Sequence, residues 1–500
     1  MMSNGPKQKP LINSLLLLLF ATLVYLGLSY HEIWLDEAHH YLFARDSQSL
    51  SDLRYNMRYD GHPILWNCLL FFITRLSADV VLMQYLHLII ITAAMAVFTF
   101  YAPFDIWEKI LFLGGYFILY EYAVISRNYA IYILFLFLAI VLYGKQRHVF
   151  LGITLAILAN THLFGLVTAL CFAGMVAYDV IFEKLHHIDR TIWIGAVIVT
   201  LGAILSIVQV IPPSESFIYT NATGSPVWER LARTSAVFLK AWIPIPDFTG
   251  DHFWNSNLLM EFSKPLCSVL SIALMAVPLY VFRRRLSLLL FFYGSTGAVL
   301  LFLYLSNLNA TRYYGVIYVL FITAWWLSCT IPEPIRLPVF LKRLPARDDL
   351  NKGFLLTLLV LQMIGGIVAY TLDLTRPFSE SRYAAEWMQR DAAVTDYLTP
   401  GCGGAPISAY LGQKMYYLNV QEYRSFCLFS LENSAVEIPE RFKKDALDFV
   451  NKTGRPAFLV VHEPFELNAE DSLRFRHEQD FAWSVLRNER YYVYRVLAPR

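Results

Sequence analysis

Long apolar runs recur along this chain, and they restrict its fold more than any other feature. A helix that spans a bilayer needs about 20 mostly apolar residues, because each adds about 1.5 Å and the hydrocarbon core is about 30 Å thick. The first such run is Leu11–Tyr30, preceded by Lys7 and Lys9. It is long, lacks a small-residue cleavage site and leads into Trp34 and Asp36, so it reads as an uncleaved first helix with a cytoplasmic N-terminus rather than a signal peptide. Further runs lie near 80–101, 106–122, 129–144, 148–162, 163–182, 191–211, 264–282, 287–305, 313–330 and 354–372, giving eleven expected spans. Those at 129–144 and 148–162 are short.

Composition supports this reading. Charged residues are 16% of the chain, against about 25% in soluble domains, and hydrophobic residues are 57%. With 16% aromatic residues the chain has ample apolar surface to bury, which excludes disorder. A net charge of +2 gives no broad basic field for a nucleic-acid partner, and six Cys in 500 residues make no disulfide scaffold. No phosphate-binding or dinucleotide-binding glycine motif is present, so nothing supports ATP-driven transport.

Lys and Arg concentrate in cytoplasmic loops, and this bias sets the topology. Eleven spans place Lys109, Lys145, Arg147, Lys184 and Arg190 on the cytoplasmic side. Arg283, Arg284, Arg285, Arg336, Lys342, Arg343, Arg347 and Lys352 fall on the same side. A twelfth span at Pro63–Ser77 would turn these clusters outward. That segment is expected instead to be an extracytoplasmic helix dipping into the membrane surface, with Pro63 at its first turn. The expected architecture is an α-helical polytopic membrane domain over 1–372, with outer helices within 31–79 and a long, irregular outer loop at 212–263. Residues 373–500 form a small soluble extracytoplasmic α/β domain. There, Ser381–Tyr397 has helical periodicity, and Pro456–Val461 and Tyr491–Leu497 read as strands. Cys402 and Cys427 lie in this domain, either joined on an oxidising face or as two free thiols. Cys68, Cys171, Cys267 and Cys329 lie in or beside apolar runs and read as packing residues.

The outer face collects the polar residues that could do chemistry. His31, Glu32, Asp36, Glu37, His39 and His40 follow the first span. A carboxylate beside Trp34 and Leu35 suits a general base, and a solvated helix cap is the plain alternative. Asp60 and His62 form a second knot; with Glu37 they offer ligands for a divalent metal, but the spacing fits no fixed motif. Arg127 and Arg312 stand at outer helix ends, against the positive-inside bias. Each suits a phosphate, or an interfacial anchor beside Tyr129 or Tyr313. His162, Lys240, Trp242 and Asp247 are lesser candidates. Three N-x-T triplets, at Asn221, Asn309 and Asn451, fall on the expected outer face.

In chain order these motifs are W-L-D-E-A at Trp34–Ala38, D-G-H-P at Asp60–Pro63, S-R-N-Y-A at Ser126–Ala130, N-T-H at Asn160–His162 and T-R-Y-Y at Thr311–Tyr314. The set resembles the GT-C membrane glycosyltransferases over about residues 10–330. It is most similar to bacterial proteins of the family-39 and RgtA/B/C/D-like type, related to dolichyl-phosphate-mannose protein mannosyltransferases and aminoarabinose transferases. Relatives often carry two prolines where this chain has Pro63-Ile64. The resemblance implies transfer of a hexosyl or pentosyl group from a polyprenyl-phosphate donor to a lipid, glycan or protein acceptor, at the periplasmic face of the inner membrane. It implies Asp36 as general base and Glu37 as a residue that positions the acceptor or a metal. Arg127, Arg312, His62 and Tyr129 would bind the donor phosphate. One base and direct attack imply inversion at the anomeric carbon. The reading names no certain cofactor and leaves a divalent metal at Glu37, Asp60 and His62 as an open alternative. A multi-pass transporter and a lipid-linked glycan ligase are the alternatives. A transporter predicts mid-membrane charges and repeated halves; a ligase predicts a basic outer loop, and 212–263 carries Glu215, Glu229, Asp247, Asp251 and Glu261.

Overall fold

The computed structural model describes residues 8–185, 188–216, 226–306, 308, 310–331, 348–430 and 438–498. Lys7, Arg336, Lys342, Arg343, Arg347, Asn221 and Asn309 lie outside the described residues.

The chain is mostly helical. α1 (Gln8–Tyr30) runs through a short link into three short helices, α2 (Leu35–Asp46), α3 (Leu50–Asn56) and α4 (Leu65–Thr74). Then come α5 (Val81–Tyr101), α6 (Ile106–Leu113), a π-helical turn Tyr116–Glu121, α7 (Tyr129–Gly144), α8 (His148–Ala159), α9 (Leu163–Tyr178) and α10 (Arg190–Val210). The short α11 (Val227–Ser235), α12 (Val237–Trp242) and α13 (Leu258–Phe262) precede α14 (Lys264–Val281), α15 (Leu286–Ser306), α16 (Thr311–Thr330) and α17 (Asp348–Thr375). Among the described residues, eight helices are long and apolar enough to cross a membrane: α1, α5, α9, α10, α14, α15, α16 and α17.

The other three expected spans differ in form. Residues 106–122 are not one helix. Asp105 caps α6 by accepting from the Trp107 and Glu108 amides, both at 3.0 Å, and the helix stops at Gly114-Gly115. The break lets α17 come close: a Cβ on Gly366 would meet the Gly114 carbonyl and the backbone of Gly115 and Tyr116. α7 has 16 residues, about 24 Å at 1.5 Å each, and is buried on most of its surface by its neighbours. α8 has 12 residues and packs on α10 where Gly152 and Gly195 face each other backbone to backbone.

α4 bears out a short apolar helix inside Pro63–Ser77, but it starts at Leu65 with Ile64 at its N-cap, so Pro63 lies before the helix rather than in its first turn. Gly61 has φ +65°, a left-handed turn that a glycine adopts without strain. The segment 212–263 is not simply an irregular loop. α12 places Phe238 and Trp242 in the main core, and Phe253 and Trp254 are buried beside Tyr120 and Trp34.

The C-terminal region is a six-stranded mixed sheet in the order β3-β2-β1-β4-β6-β5. Its strands are β1 (Asp396–Thr399), β2 (Met415–Tyr417), β3 (Glu422–Arg424), β4 (Ala457–Val461), β5 (Phe475–Phe481) and β6 (Tyr491–Val496). β1 runs parallel to β2 and β4; the other pairings are antiparallel. All five residues of the central β4 are buried, as expected of a strand covered on both faces. α18 (Ser381–Met388) and α19 (Ala405–Leu411) pack one face through Met388, Ile407, Phe458 and Val460. α20 (Pro439–Thr453) packs the other through Phe449, Val450, Leu459 and Val461. The helix expected over Ser381–Tyr397 ends at Met388. Asp391 then accepts from the Ala393 amide in a turn and pairs with Arg495 on β6, and Tyr397 belongs to β1.

Cys402 and Cys427 form a disulfide, which ties the start of α19 to the segment bearing Phe426. Both ends touch α2: Ala405 and Ala409 pack with Tyr41 and Leu42, and the Phe426 ring lies 4.6 Å from that of Phe43. Among the other cysteines, Cys267 is buried and Cys329 is exposed. The sheet domain therefore sits on the end of the helical bundle that carries α2.

Candidate functional site

α2 brings the first polar cluster to that end of the bundle. Asp36 is the second residue of the helix. Its Oδ2 lies 2.6 Å from Arg127 Nη1 and 3.0 Å from Arg312 Nη2. Arg127 stands in the link before α7, and Arg312 is the second residue of α16. The Arg312 guanidinium also lies 5.0 to 5.9 Å from the ring centres of Tyr313, Trp34 and Trp254. Aromatic faces attract such a cation and hold its plane. Burial alone would raise the Asp36 pKa, but Arg127 and Arg312 overcome that and hold it at about 2.

A cavity of about 360 Å³ opens on this ion-paired cluster. Its polar part includes Asp36, Asp60, His62, Arg127, Tyr129 and Arg312. Its apolar part is lined by Leu163, Phe164, Val210, Phe302 and Leu308. One cavity thus joins a paired cation site to a greasy wall. Asp60 accepts from His39 Nε2 at 3.1 Å and lies 3.7 Å from His40 Nδ1. Burial would raise the Asp60 carboxyl pKa; His39 outweighs it and holds the group below the usual carboxylate range. Burial, then Arg127, brings His40 down to about 3, and burial lowers His62 against the pull of Asp60. His40 and His62 are therefore neutral near pH 7 and can both donate and accept hydrogen bonds. His162 also lines the cavity and caps α9, its Nδ1 accepting from the Gly165 amide at 2.9 Å.

Glu37 points elsewhere. It is fully buried. Its Oε1 accepts from the Ser126 amide at 2.5 Å, and its Oε2 accepts from His31 Nε2 at 3.1 Å and the Trp34 amide at 3.4 Å. The other His31 nitrogen meets Asp373 Oδ2 at 3.1 Å. Burial would lower the His31 pKa, but Asp373 and Glu37 raise it well above the ordinary value, so the ring is an imidazolium between two carboxylates. Glu37 thus fixes the backbone before Arg127 rather than joining Asp60 and His62. Among the described residues no three His, Cys, Asp or Glu groups are disposed to hold a metal ion. The expected Glu37, Asp60 and His62 set does not fit one, because both Glu37 oxygens are committed to other donors.

Of the lesser candidates, Asp247 accepts from the Thr249 amide, Trp242 is core, and Lys240 lies over the Tyr314 ring at 5.3 Å. A larger cavity, about 500 Å³, lies on the other side of the link after α1, against Tyr25, His31, Gln84, Arg382 and Tyr410. The Asp36 carboxylate belongs to the smaller one.

Sequence reasoning missed three acidic residues that organise the site. Asp373 closes the His31 pair. Glu121 accepts from Tyr116 and from the Trp254 indole, both at 3.1 Å. Both were marked by one signal, an acidic residue in or at the end of an apolar run. Glu489, on the turn before β6, reaches the Leu35 amide at 2.8 Å, and no sequence signal marks it.

The chain matches no protein-family model, no curated protein and no solved structure.

Proposed function

We propose that this protein is a membrane glycosyltransferase of the GT-C type that moves a sugar from a polyprenyl-phosphate carrier to an acceptor hydroxyl. The observation that carries the reading is the cavity in which Asp36, Arg127 and Arg312 meet beside Leu163, Phe164, Phe302 and Leu308. A phosphate with a long hydrocarbon needs both parts. Its charge would take the forked donors of the arginines, and its chain would lie along the apolar wall.

In the proposed step Asp36 removes the proton from the acceptor hydroxyl. The acceptor oxygen attacks the anomeric carbon from the face opposite the phosphate. The bond from that carbon to the phosphate oxygen breaks, its electron pair goes to the phosphate, and the configuration inverts. Arg127 and Arg312 stabilise the growing phosphate charge. Alone with two arginines, Asp36 is too weak a base. A donor phosphate that draws them away leaves the carboxylate less paired, which raises its basicity when donor is present. Tyr129 and His62 would hydrogen-bond the donor from the same cavity.

The reading also places the bundle in the inner membrane. Eleven crossings would put the cavity and the sheet domain on the extracytoplasmic face, with α6 and its π-helical turn, α7 and α8 counted as spans. The C-terminal domain, 373–500, would then stand in the periplasm. A reporter fused after Ser77 tests this, and a cytoplasmic signal there would overturn the topology. The activity is tested in membranes supplied with radiolabelled polyprenyl-phosphate sugars. Label transfer by wild type and its loss in Asp36→Asn at equal expression is expected. No transfer from any lipid-linked sugar, or full activity in the variant, would overturn the reaction or the base assignment respectively.

A further inference from the structure

α2 begins without a cap from its N-cap side chain; of the amides at this turn, Glu37, within the helix, takes only that of Trp34. The first amides of a helix have no partner inside it and are commonly satisfied by Ser, Thr, Asp or Asn at the N-cap. Here the N-cap is Trp34, whose side chain carries no oxygen. The Leu35 amide donates instead to Glu489 Oε1 at 2.8 Å, from the far end of the chain. Glu489 is 1% exposed. Its Oε2 accepts from Ser379 Oγ and from the Tyr491 hydroxyl, both at 2.8 Å. Those two hydroxyls fix the carboxylate, and the carboxylate fixes the first turn of α2.

The same region holds the link before α2. The Ile33 amide donates to the Tyr410 hydroxyl at 2.8 Å, and the Ser381 hydroxyl donates to the Ile33 carbonyl at 3.2 Å. Glu32 accepts from the Phe378 amide at 2.8 Å. Asp36 follows Leu35 directly, so any shift of that turn moves the carboxylate between Arg127 and Arg312.

We infer that Glu489 is a positioning residue: the C-terminal domain caps the helix that bears Asp36 and so sets that carboxylate in the cavity. The catalytic consequence rests on the transfer reaction proposed above; the structural one does not. Glu489 does not line the cavity, so it acts through the Leu35 amide. The inference gives the sheet domain a definite task in a site built otherwise from the bundle.

Two measurements on the full-length protein test it. The first is amide hydrogen exchange over 33–38, with the strands of the sheet as an internal control. Loss of this cap in Glu489→Ala should speed exchange there by about threefold to tenfold while the sheet stays protected. Glu489→Gln keeps an oxygen for Leu35 and should retain most of the protection. Tyr491→Phe, which removes one donor to the carboxylate, should fall between them and serves if the alanine variant does not fold. Unchanged exchange over 33–38 in both Glu489→Ala and Tyr491→Phe overturns the inference, as does exchange raised equally across the sheet. The second is the transfer assay. Glu489→Ala should lower kcat by roughly tenfold to a hundredfold with donor KM within about twofold, and Glu489→Gln should recover most of it. Inactive wild type with normal exchange behaviour would refute the proposed reaction and leave the cap standing. Active wild type with an unaffected Glu489→Ala would refute the positioning role alone.

Discussion

Asp36 and Arg127 meet at 2.6 Å, and the pair joins the first turn of α2 to the link before α7. Arg312 approaches the same carboxylate oxygen at 3.0 Å. Two guanidinium groups on one carboxylate leave a cationic excess in a largely buried place. An anion is the natural complement of such an excess, and this makes the trio the first target for mutation.

On the proposed reaction, Asp36→Asn should lower transfer by about 10²- to 10⁴-fold, the usual range for loss of a general base, with the protein still folded and inserted. Arg127→Ala should raise donor KM, and Arg127→Lys should not restore it, because an ammonium cannot reproduce the guanidinium fork. Initial rates over a range of donor concentrations at matched protein levels check both.

His31 offers a pH test of stability. Its folded pKa is raised above the unfolded value, so its contribution is fully present below the unfolded pKa and is lost as pH rises through the folded one. The melting temperature of wild type should therefore exceed that of His31→Gln by most below the ordinary imidazole pKa, and the gap should narrow as pH rises well above it. A gap that widened with alkalinity would mean that His31 is neutral in the fold.

The bond between Cys402 and Cys427 closes a loop with a sequence separation of 25. Chain-entropy reasoning gives such a loop about 3.5 kcal/mol of stabilisation. The double Ser variant should lose roughly that from the sheet domain, measured by denaturant unfolding. Alkylation of protein taken from cells, without reductant, should leave these two sulfurs unmodified. Free thiols at both positions would place the domain in a reducing compartment.

Gly366→Ala should be poorly tolerated, although it is a conservative change in an apolar helix. A methyl group there would press on the Gly114 carbonyl and the Tyr116 amide. Overpacking of this kind costs about 1–3 kcal/mol, and here the obstacle is backbone, which yields little. Yield of monodisperse protein and its melting temperature report the loss. The same change at Gly353, where nothing stands within 4 Å of the added carbon, should be neutral.

The long spans were legible because apolar length is a local property of sequence. The convergence of Asp36, Arg127 and Arg312 was legible in outline, since each sits at a helix end where charge runs against the local bias. Glu37 was not. Its neighbour in sequence lines the cavity, but one step along a helix turns a side chain by about 100°, toward His31 and Ser126. The run 106–122 looked continuous because Gly114-Gly115 is tolerated in apolar helices; only the approach of α17 explains the break. The helix after Ser381 was overextended because apolar spacing continues into Val394 and Tyr397, which are core residues of a turn and a strand. Glu489 left no trace, since its partner is an amide and amides carry no side-chain signature.

The bond from Leu35 to Glu489 has a consequence for how the molecule is made. Leu35 emerges from the ribosome 454 residues before Glu489. The bundle can insert helix by helix while the start of α2 waits for its acceptor. Synthesis thus delays completion of this end of α2 until β6 has joined its sheet. A chain cut short before β6 would insert its bundle with the Leu35 amide still lacking its Glu489 partner.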